Sequence, residues 1–275
     1  MNTKPLGTTG VQIPEVGLGT WKYKGDADIV HRAMELGASL IDTAEMYETE
    51  EQVGRAIRGN REACFIATKV SAPHFHHKDV LHAADQSLMR LGVDTIDLYQ
   101  LHSPNSRIPI AETMGAMDAL VSAGKVRYVG VSNFSVAELR GAEAALGPGR
   151  VVSNQIKYSL FDHGFADELL PYCTERGITI IAYSSLEQGA FERETRRRSG
   201  LAEAIGRVCS ETGKTAAQVL LRWVLHTPVA VTIPATNHVE RINENCGASG
   251  WSLTDEQYAL LTAAAGEKRS EMWWR

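Results

Sequence analysis

The chain has 275 residues, of which 44% are hydrophobic and 22% charged, with a net charge of −5; this balance fits a globular protein with a large core and argues against a nucleic-acid binder, which would carry a basic patch. Cys64, Cys173, Cys209 and Cys246 lie far apart with no C-x-x-C pair, which excludes a zinc ribbon or a disulfide framework as a reading. The opening MNTKPLGTTG has no apolar signal region, and no run is long enough to span a bilayer, so a reduced, cytoplasmic protein with no membrane partner is expected.

In chain order, Lys4–Ile13 reads as a small hairpin turning at Thr9-Gly10. Eight apolar, β-branched runs follow: Glu15–Thr20, Ser39–Thr43, Cys64–Val70, Thr95–His102, Val126–Ser132, Val151–Tyr158, Ile178–Ser184 and Val229–Pro234. Helical patterns separate them. In Asp79–Leu91, the residues Val80, Ala83, Ala84, Ser87, Leu88 and Leu91 share one face; in Ala111–Ala123, Met114, Met117, Leu120 and Val121 do so. Gly92 and Gly124 are natural C-terminal stops for these helices. Leu186–Ser199, rich in Glu and Arg, is the main irregular stretch expected.

Near-continuous apolar strands alternating with helices indicate a parallel sheet covered on its outer face. Eight such units in this length predict a (β/α)₈ TIM barrel, α/β in class, as one domain over residues 1–275. The N-terminal β-hairpin is expected to close the barrel bottom. Active sites of such barrels lie at the C-terminal ends of the strands. The polar residues there are Asp42, Tyr47, Lys69 and His102, then Ser132, Asn133, Asn154, Gln155, Tyr183, Ser184, Thr236 and Asn237.

The first four form a coherent set for reducing a carbonyl. Hydride transfer leaves negative charge on the carbonyl oxygen, which needs a proton or hydrogen-bond donors. A tyrosine can give that proton, although its ordinary pKa is about 10, and a general acid works best nearer the operating pH. The Lys69 ammonium would lower the phenol's pKa, Asp42 would keep Lys69 charged and aimed, and His102 would orient the carbonyl oxygen. Each residue alone also has a plain reading: Asp42 as a helix N-cap, Tyr47 as a surface aromatic, Lys69 as a solvated strand end, His102 as a turn residue before Ser-Pro. Their joint occurrence at the ends of three successive strands favours the chemical one.

The segments LIDTAEMYETEEQVGRAI, FIATKV, IDLYQLHSP, VRYVGVSNF, VSNQIKYSL, IIAYSSLEQG and TIPATNHVERINEN run in order along the chain and resemble the aldo-keto reductase superfamily. The resemblance implies that Asp42, Tyr47, Lys69 and His102 are a catalytic tetrad. It implies an NADPH-dependent reductase of aldehydes or ketones, with NADH as a weaker alternative cofactor and a small carbonyl compound as partner. A cofactor-binding redox sensor or regulatory subunit on the same barrel is the alternative. A monomer or weak homo-oligomer is expected.

No G-x-G-x-x-G is present, since Lys22 breaks the pattern that Gly17 and Gly19 begin, and no G-x-x-x-x-G-K-[ST] occurs. By resemblance the cofactor lies extended across the barrel top. Ser132, Asn133 and Gln155 would bond its carboxamide and Tyr183 would stack on the nicotinamide. Gly19, Thr20, Asp42 and Ile233 would also line the cofactor. Ser184, Leu186 and Gly189 match the segment along the pyrophosphate, and Thr236, Arg241, Glu244 and Asn245 the adenosine end. Trp21, with Tyr47 and His102, would wall the substrate pocket. The plain readings are N-caps for Ser132 and Asn133, helix surface for Arg241 and Asn245, and a core aromatic for Trp21.

The sequence also departs from the family pattern. Ala235 stands where many relatives have Lys, which should weaken NADPH preference, while Arg241 retains a guanidinium suited to a 2′-phosphate. Ser103 replaces a frequent Trp, so the pocket should be wider there, and Ser185 replaces a frequent Pro. His74-Phe75-His76-His77 resembles a metal cluster but lacks supporting Cys or carboxylate spacing, so no metal is expected. Arg196-Arg197-Arg198 could reach a cofactor phosphate or begin a solvated helix. The Trp273-Trp274 tail could line the pocket, pack on the barrel or mediate contacts.

Overall fold

A computed structural model describes residues 1–196 and 198–266. Arg197 and the Trp273-Trp274 tail lie outside the described residues. The chain opens with an antiparallel hairpin, β1 (Thr3–Pro5) and β2 (Gln12–Pro14), in which Lys4 faces Ile13. Eight parallel strands follow: β3 (Leu18–Gly19), β4 (Leu40–Asp42), β5 (Phe65–Val70), β6 (Ile96–Leu101), β7 (Val126–Ser132), β8 (Val151–Lys157), β9 (Thr179–Tyr183) and β10 (Ala230–Thr232). They are ordered β3 to β10 in sequence, each beside its neighbour.

The sheet closes where β3 meets β10, through parallel bridges Val16↔Thr232 and Gly19↔Ala235. Backbone bonds Gly17 N→Thr232 O (2.8 Å) and Thr232 N→Glu15 O (2.9 Å) secure that seam. Chain packing there is tight. A Cβ at Gly17 would lie 2.6 Å from the Leu40 carbonyl oxygen, and one at Gly19 would lie 2.6 Å from that of Ile233. Only glycine lets the first barrel strand sit between its two neighbours.

Eleven helices among the described residues surround the barrel: α1 (Ala27–Glu35), α2 (Glu50–Ala56), α3 (His77–Leu91), α4 (Ile110–Ser122), α5 (Val136–Leu146), α6 (Ala166–Arg176), α7 (Phe191–Arg196), α8 (Ser199–Thr212), α9 (Ala216–His226), α10 (Val239–Cys246) and α11 (Asp255–Ala265). Their starts are chemically marked. Asp26 caps α1, and Ser135/Glu138, Thr215/Gln218 and Thr254/Gln257 form reciprocal capping boxes on α5, α9 and α11. Gly92 ends α3 in the left-handed region at φ 65°. The α3 face expected from sequence is buried at Val80, Ala83, Ala84, Ser87 and Leu91. No helix among the described residues is long and apolar enough to cross a membrane.

Period-two alternation divides the core. Leu98 of β6 joins Leu40, Ala67, Ile181, Val231 and Ile233 inside the barrel, and hairpin residues Leu6 and Ile13 pack into that same cluster, closing the bottom. Tyr99 and Leu101 point outward into the helix–sheet core. The Leu186–Ser199 stretch corrects the irregular reading. It holds a 3₁₀ turn (Glu187–Gly189) and α7, and α8 begins at Ser199. A six-residue helix dominated by charge carries no apolar stripe from which periodicity could find it.

Candidate active site

Inside the barrel the inward positions change from apolar at the bottom to ionisable at the top. Leu40 precedes Asp42 on β4, and Ala67 precedes Lys69 on β5, each by two residues. Both Asp42 and Lys69 are buried, Lys69 completely. Lys69 Nζ donates to Asp42 Oδ1 at 2.6 Å, to the Thr43 carbonyl at 2.8 Å and to the Tyr47 hydroxyl at 3.4 Å. All three ammonium protons therefore have acceptors. Asp42 is not an N-cap: its carboxylate turns into the barrel to meet Lys69.

Tyr47 lies in a 3₁₀ turn, Glu45–Tyr47, just beyond β4. Glu45 ties this turn to the loop after β5, where its Oε1 accepts from Ser71 N at 2.8 Å and lies 2.9 Å from His74 Nδ1. His102 follows β6, and its Nε2 lies 3.5 Å from the Tyr47 hydroxyl oxygen. The Tyr47 ring meets the Trp21 ring edge-on at 4.9 Å and the His102 ring at 5.4 Å. Trp21 is 43% exposed, so it is a surface ring beside Tyr47 and not a core aromatic.

Electrostatics correct one sequence expectation. Lys69 does pull the Tyr47 phenol downward, but burial acts more strongly, and the net shift is upward from the ordinary value. Burial also disfavours the Lys69 ammonium, yet Asp42 and Tyr47 together outweigh it and raise its pKa. His102 is pushed down to about 3 by burial and then by Lys69. It is a neutral imidazole at neutral pH, and its buried Nδ1 has no protein partner.

The next three strand ends supply amides and hydroxyls. Ser132 Oγ donates to the Gln155 carbonyl at 2.9 Å. Asn133, held at φ 65°, donates Nδ2 to the His102 carbonyl at 3.2 Å and to Ser132 Oγ at 3.0 Å. Tyr183, half-buried, donates its hydroxyl to Asn133 Oδ1 at 2.9 Å. Gln155 donates Nε2 to Asp42 Oδ2 at 2.8 Å. Neither Ser132 nor Asn133 caps α5, because Ser135 does. Thr20 Oγ1 donates to the Asp42 carbonyl at 2.9 Å, and Asn154 turns aside to the Phe134 backbone. Buried amides and hydroxyls tied to an aromatic side chain suit a planar, carboxamide-bearing ring.

Other residues singled out in the sequence sit farther along the rim. Ser184 is left-handed at φ 54°, Leu186 is half-buried, and Gly189, at φ 86°, is exposed with open space where a side chain would go. Thr236 Oγ1 accepts from His238 N at 3.1 Å. Arg241 is exposed and pairs with Glu244 at 2.6 Å, while Asn245 is buried. Asn237 joins this loop to the one after β3, accepting from Lys24 N at 2.9 Å and donating to the Lys22 carbonyl at 3.0 Å. No described hydrogen bond links the Thr236–Asn245 group to the Asp42 cluster.

The histidine run is split: His74 faces Glu45, and His76 Nδ1 lies 3.0 Å from Glu112. Arg196 ends α7, and Arg198 donates to the Ala265 carbonyl at 2.7 Å. Two contributors escaped sequence reasoning. Gln100 donates to Asp42 Oδ2 at 3.4 Å, and Glu45 anchors the Tyr47 turn. A lone Gln in an apolar strand and a Glu in a short turn leave no periodic signal.

A model described as the aldo/keto reductase family matches residues 15–265. Methylglyoxal reductase YeaE of Escherichia coli (strain K12) is 34% identical over 92% of this chain and 92% of its own length. A thermostable aldo-keto reductase, solved with the inhibitor epalrestat, superposes with a TM-score of 0.89 at 36% identity, covering 96% of this chain and 100% of its own. An aldo/keto reductase from Klebsiella pneumoniae, solved with NADP and acetate, gives 0.87 at 32% identity over 98% of each chain.

Proposed function

We propose that this chain, which belongs to the aldo/keto reductase family, reduces small aldehydes or ketones to alcohols using NADPH, with Tyr47 as the proton donor. The observation that carries the reading is the chain of contacts Asp42–Lys69–Tyr47 with His102 beside the phenol. Lys69 Nζ and His102 Nε2 both approach the Tyr47 hydroxyl oxygen, and Asp42 stands behind the ammonium.

The residues present fit the cofactor. Ser132, Asn133 and Gln155 are buried polar groups, with Tyr183 bonded to Asn133, and they match the chemistry of a carboxamide on a flat heterocycle. Bound NADPH supplies the hydride that the carbonyl carbon receives. The Klebsiella pneumoniae aldo/keto reductase, solved with NADP, supports this choice. At the other end Arg241 is the cation on hand for a 2′-phosphate, with Thr236 as a neutral donor.

As negative charge grows on the substrate oxygen, the Tyr47 hydroxyl gives it a proton. Lys69, 3.4 Å from that hydroxyl, stabilises the phenolate left behind. Asp42 holds the ammonium in place through Oδ1. His102 stays neutral and offers Nε2 as a hydrogen-bond donor that orients the carbonyl before transfer. Product formation takes one hydride at carbon and one proton at oxygen. Trp21 and Tyr47 shield the mouth.

The methylglyoxal reductase named among the relatives makes small α-dicarbonyls a sensible first substrate class. Steady-state oxidation of NADPH across a panel of aldehydes and ketones tests the reading. Equimolar alcohol and NADP⁺ are expected. Tight NADPH binding with no turnover on any carbonyl would favour the sensor or regulatory reading instead.

A further inference from the structure

Asp42 is gripped by more donors than its ion pair requires. Oδ1 takes Lys69, while Oδ2 takes Gln155 at 2.8 Å and also Gln100 at 3.4 Å. Gln100 is the unexpected one. On β6 the alternation puts Leu98 inside the barrel and Tyr99 and Leu101 outside, so position 100 faces inward, one level above Leu98. Register sets Gln100 opposite Lys69 on β5 and opposite Gly130 on β7.

A leucine there would continue the dry interior. The amide instead leaves its buried Oε1 without a protein partner, which is costly. Space has been made for it. A Cβ at Gly130 would lie 3.1 Å from Gln100 Cγ and 2.3 Å from Ser153 Oγ. A fully buried amide with one end unsatisfied is accounted for by what its other end does, and that end meets the carboxylate. Its orientation is not free, because turning the amide over would set Oε1 against Asp42 Oδ2.

We propose that Gln100 is a positioning residue for the acid relay: together with Gln155 it holds Asp42 Oδ2 and offsets part of its charge, so that Asp42 does not draw Lys69 Nζ away from the Tyr47 oxygen. This rests on the reductase reading above. Without the Gln100 donor, the Asp42 carboxylate carries more uncompensated charge and becomes a stronger acceptor for Lys69. The ammonium is then drawn away from the Tyr47 oxygen. The charged and titratable groups facing Tyr47 are Lys69, Asp42 and His102, and only the first two are perturbed.

The test uses Gln100→Met and Gln100→Leu, two apolar residues of similar size suited to the barrel interior. In cofactor-free protein, the Tyr47 phenol is titrated by ultraviolet difference against the same variant carrying Tyr47→Phe. The titration should move to higher pH. In turnover, kcat should fall about 5- to 10-fold, the loss of one long hydrogen bond of ordinary strength, while the NADPH dissociation constant stays within about twofold. A Tyr47 titration that stays in place in both variants overturns the proposal, as does a kcat loss matched by an equal loss of NADPH affinity. If wild type reduces no carbonyl, the reductase reading falls, and the phenol titration alone still decides the role of Gln100.

Discussion

Gln155 donates its side-chain amide to Oδ2 of Asp42 at 2.8 Å, so one hydrogen bond joins the proposed nicotinamide floor to the proposed acid relay. The same carboxylate aims Lys69 through its other oxygen. Anything that moves Gln155 is therefore felt at Asp42, and through Lys69 at Tyr47. Cofactor seating and proton delivery share one anchor.

Gln155→Leu should damage both halves at once. The cofactor floor loses an amide, and Asp42 loses its shorter Oδ2 donor. NADPH affinity should fall up to about tenfold and kcat by at least as much, since a lost bond between neutral amides contributes about 0.5–1.5 kcal/mol and a lost bond to a carboxylate about 1.5–3 kcal/mol. Fluorescence titration and steady-state rates on the same preparation check this. A variant with lower affinity but wild-type kcat would uncouple the two.

Lys69→Met should abolish reduction, because no other cation stands within reach of the Tyr47 hydroxyl among the described residues. Asp42→Asn should lose less, about 10- to 100-fold, since Lys69 keeps the Thr43 carbonyl and Tyr47 as acceptors. Both variants leave a buried charge without its partner, so both should melt earlier than wild type. Calorimetry and rate measurements together decide it, and an Asp42→Asn enzyme slower than Lys69→Met would reverse the ordering.

His102 makes stability depend on pH in a stated direction. Its folded pKa, about 3, lies below the ordinary value of 6.5. Between these values the unfolded chain binds the extra proton, so stability rises with pH there, by up to about 1.4 kcal/mol per pH unit. The contribution is complete above pH 6.5 and is lost progressively as pH falls toward 3. His102→Gln should flatten this part of the curve in urea unfolding between pH 4 and 7, a window set by those two pKa values. Equal slopes in mutant and wild type would contradict it.

NADPH should bind more tightly than NADH, but modestly. Arg241 already spends one guanidinium edge on Glu244 at 2.6 Å, and Ala235 supplies no charge. Ala235→Lys should tighten NADPH several-fold and leave NADH nearly unchanged. Arg241→Ala should bring the two dissociation constants close together. Titration of both cofactors against the three proteins checks this, and an Arg241→Ala variant that still strongly prefers NADPH would remove Arg241 from the site.

The sequence carried the strands and most helices because their signal is local. Strand limits erred mainly at the barrel seam. Glu15–Thr20 reads as one strand, yet only Leu18–Gly19 is regular, with Val16 joined by an isolated bridge. Pro14 and Pro234 cannot donate to a ladder. Asp42, Lys69 and His102 were legible as types at strand ends, and Tyr47 in the loop beyond one. The grip of Gln100 and Gln155 on Asp42 was not, because it depends on register around the closed barrel. Nor was the net upward shift of the Tyr47 phenol, because burial cannot be read from a residue's chemistry.

Tyr47→Phe bears most directly on the proposed chemistry. The substitution removes one oxygen and leaves Trp21, His102 and the cofactor floor in place. With NADPH and the best carbonyl of the panel, kcat should drop by about 10²–10⁴-fold, the usual range for a lost general acid, while the NADPH dissociation constant stays within about twofold. Retention of more than about a tenth of wild-type kcat would show that another group protonates the oxygen.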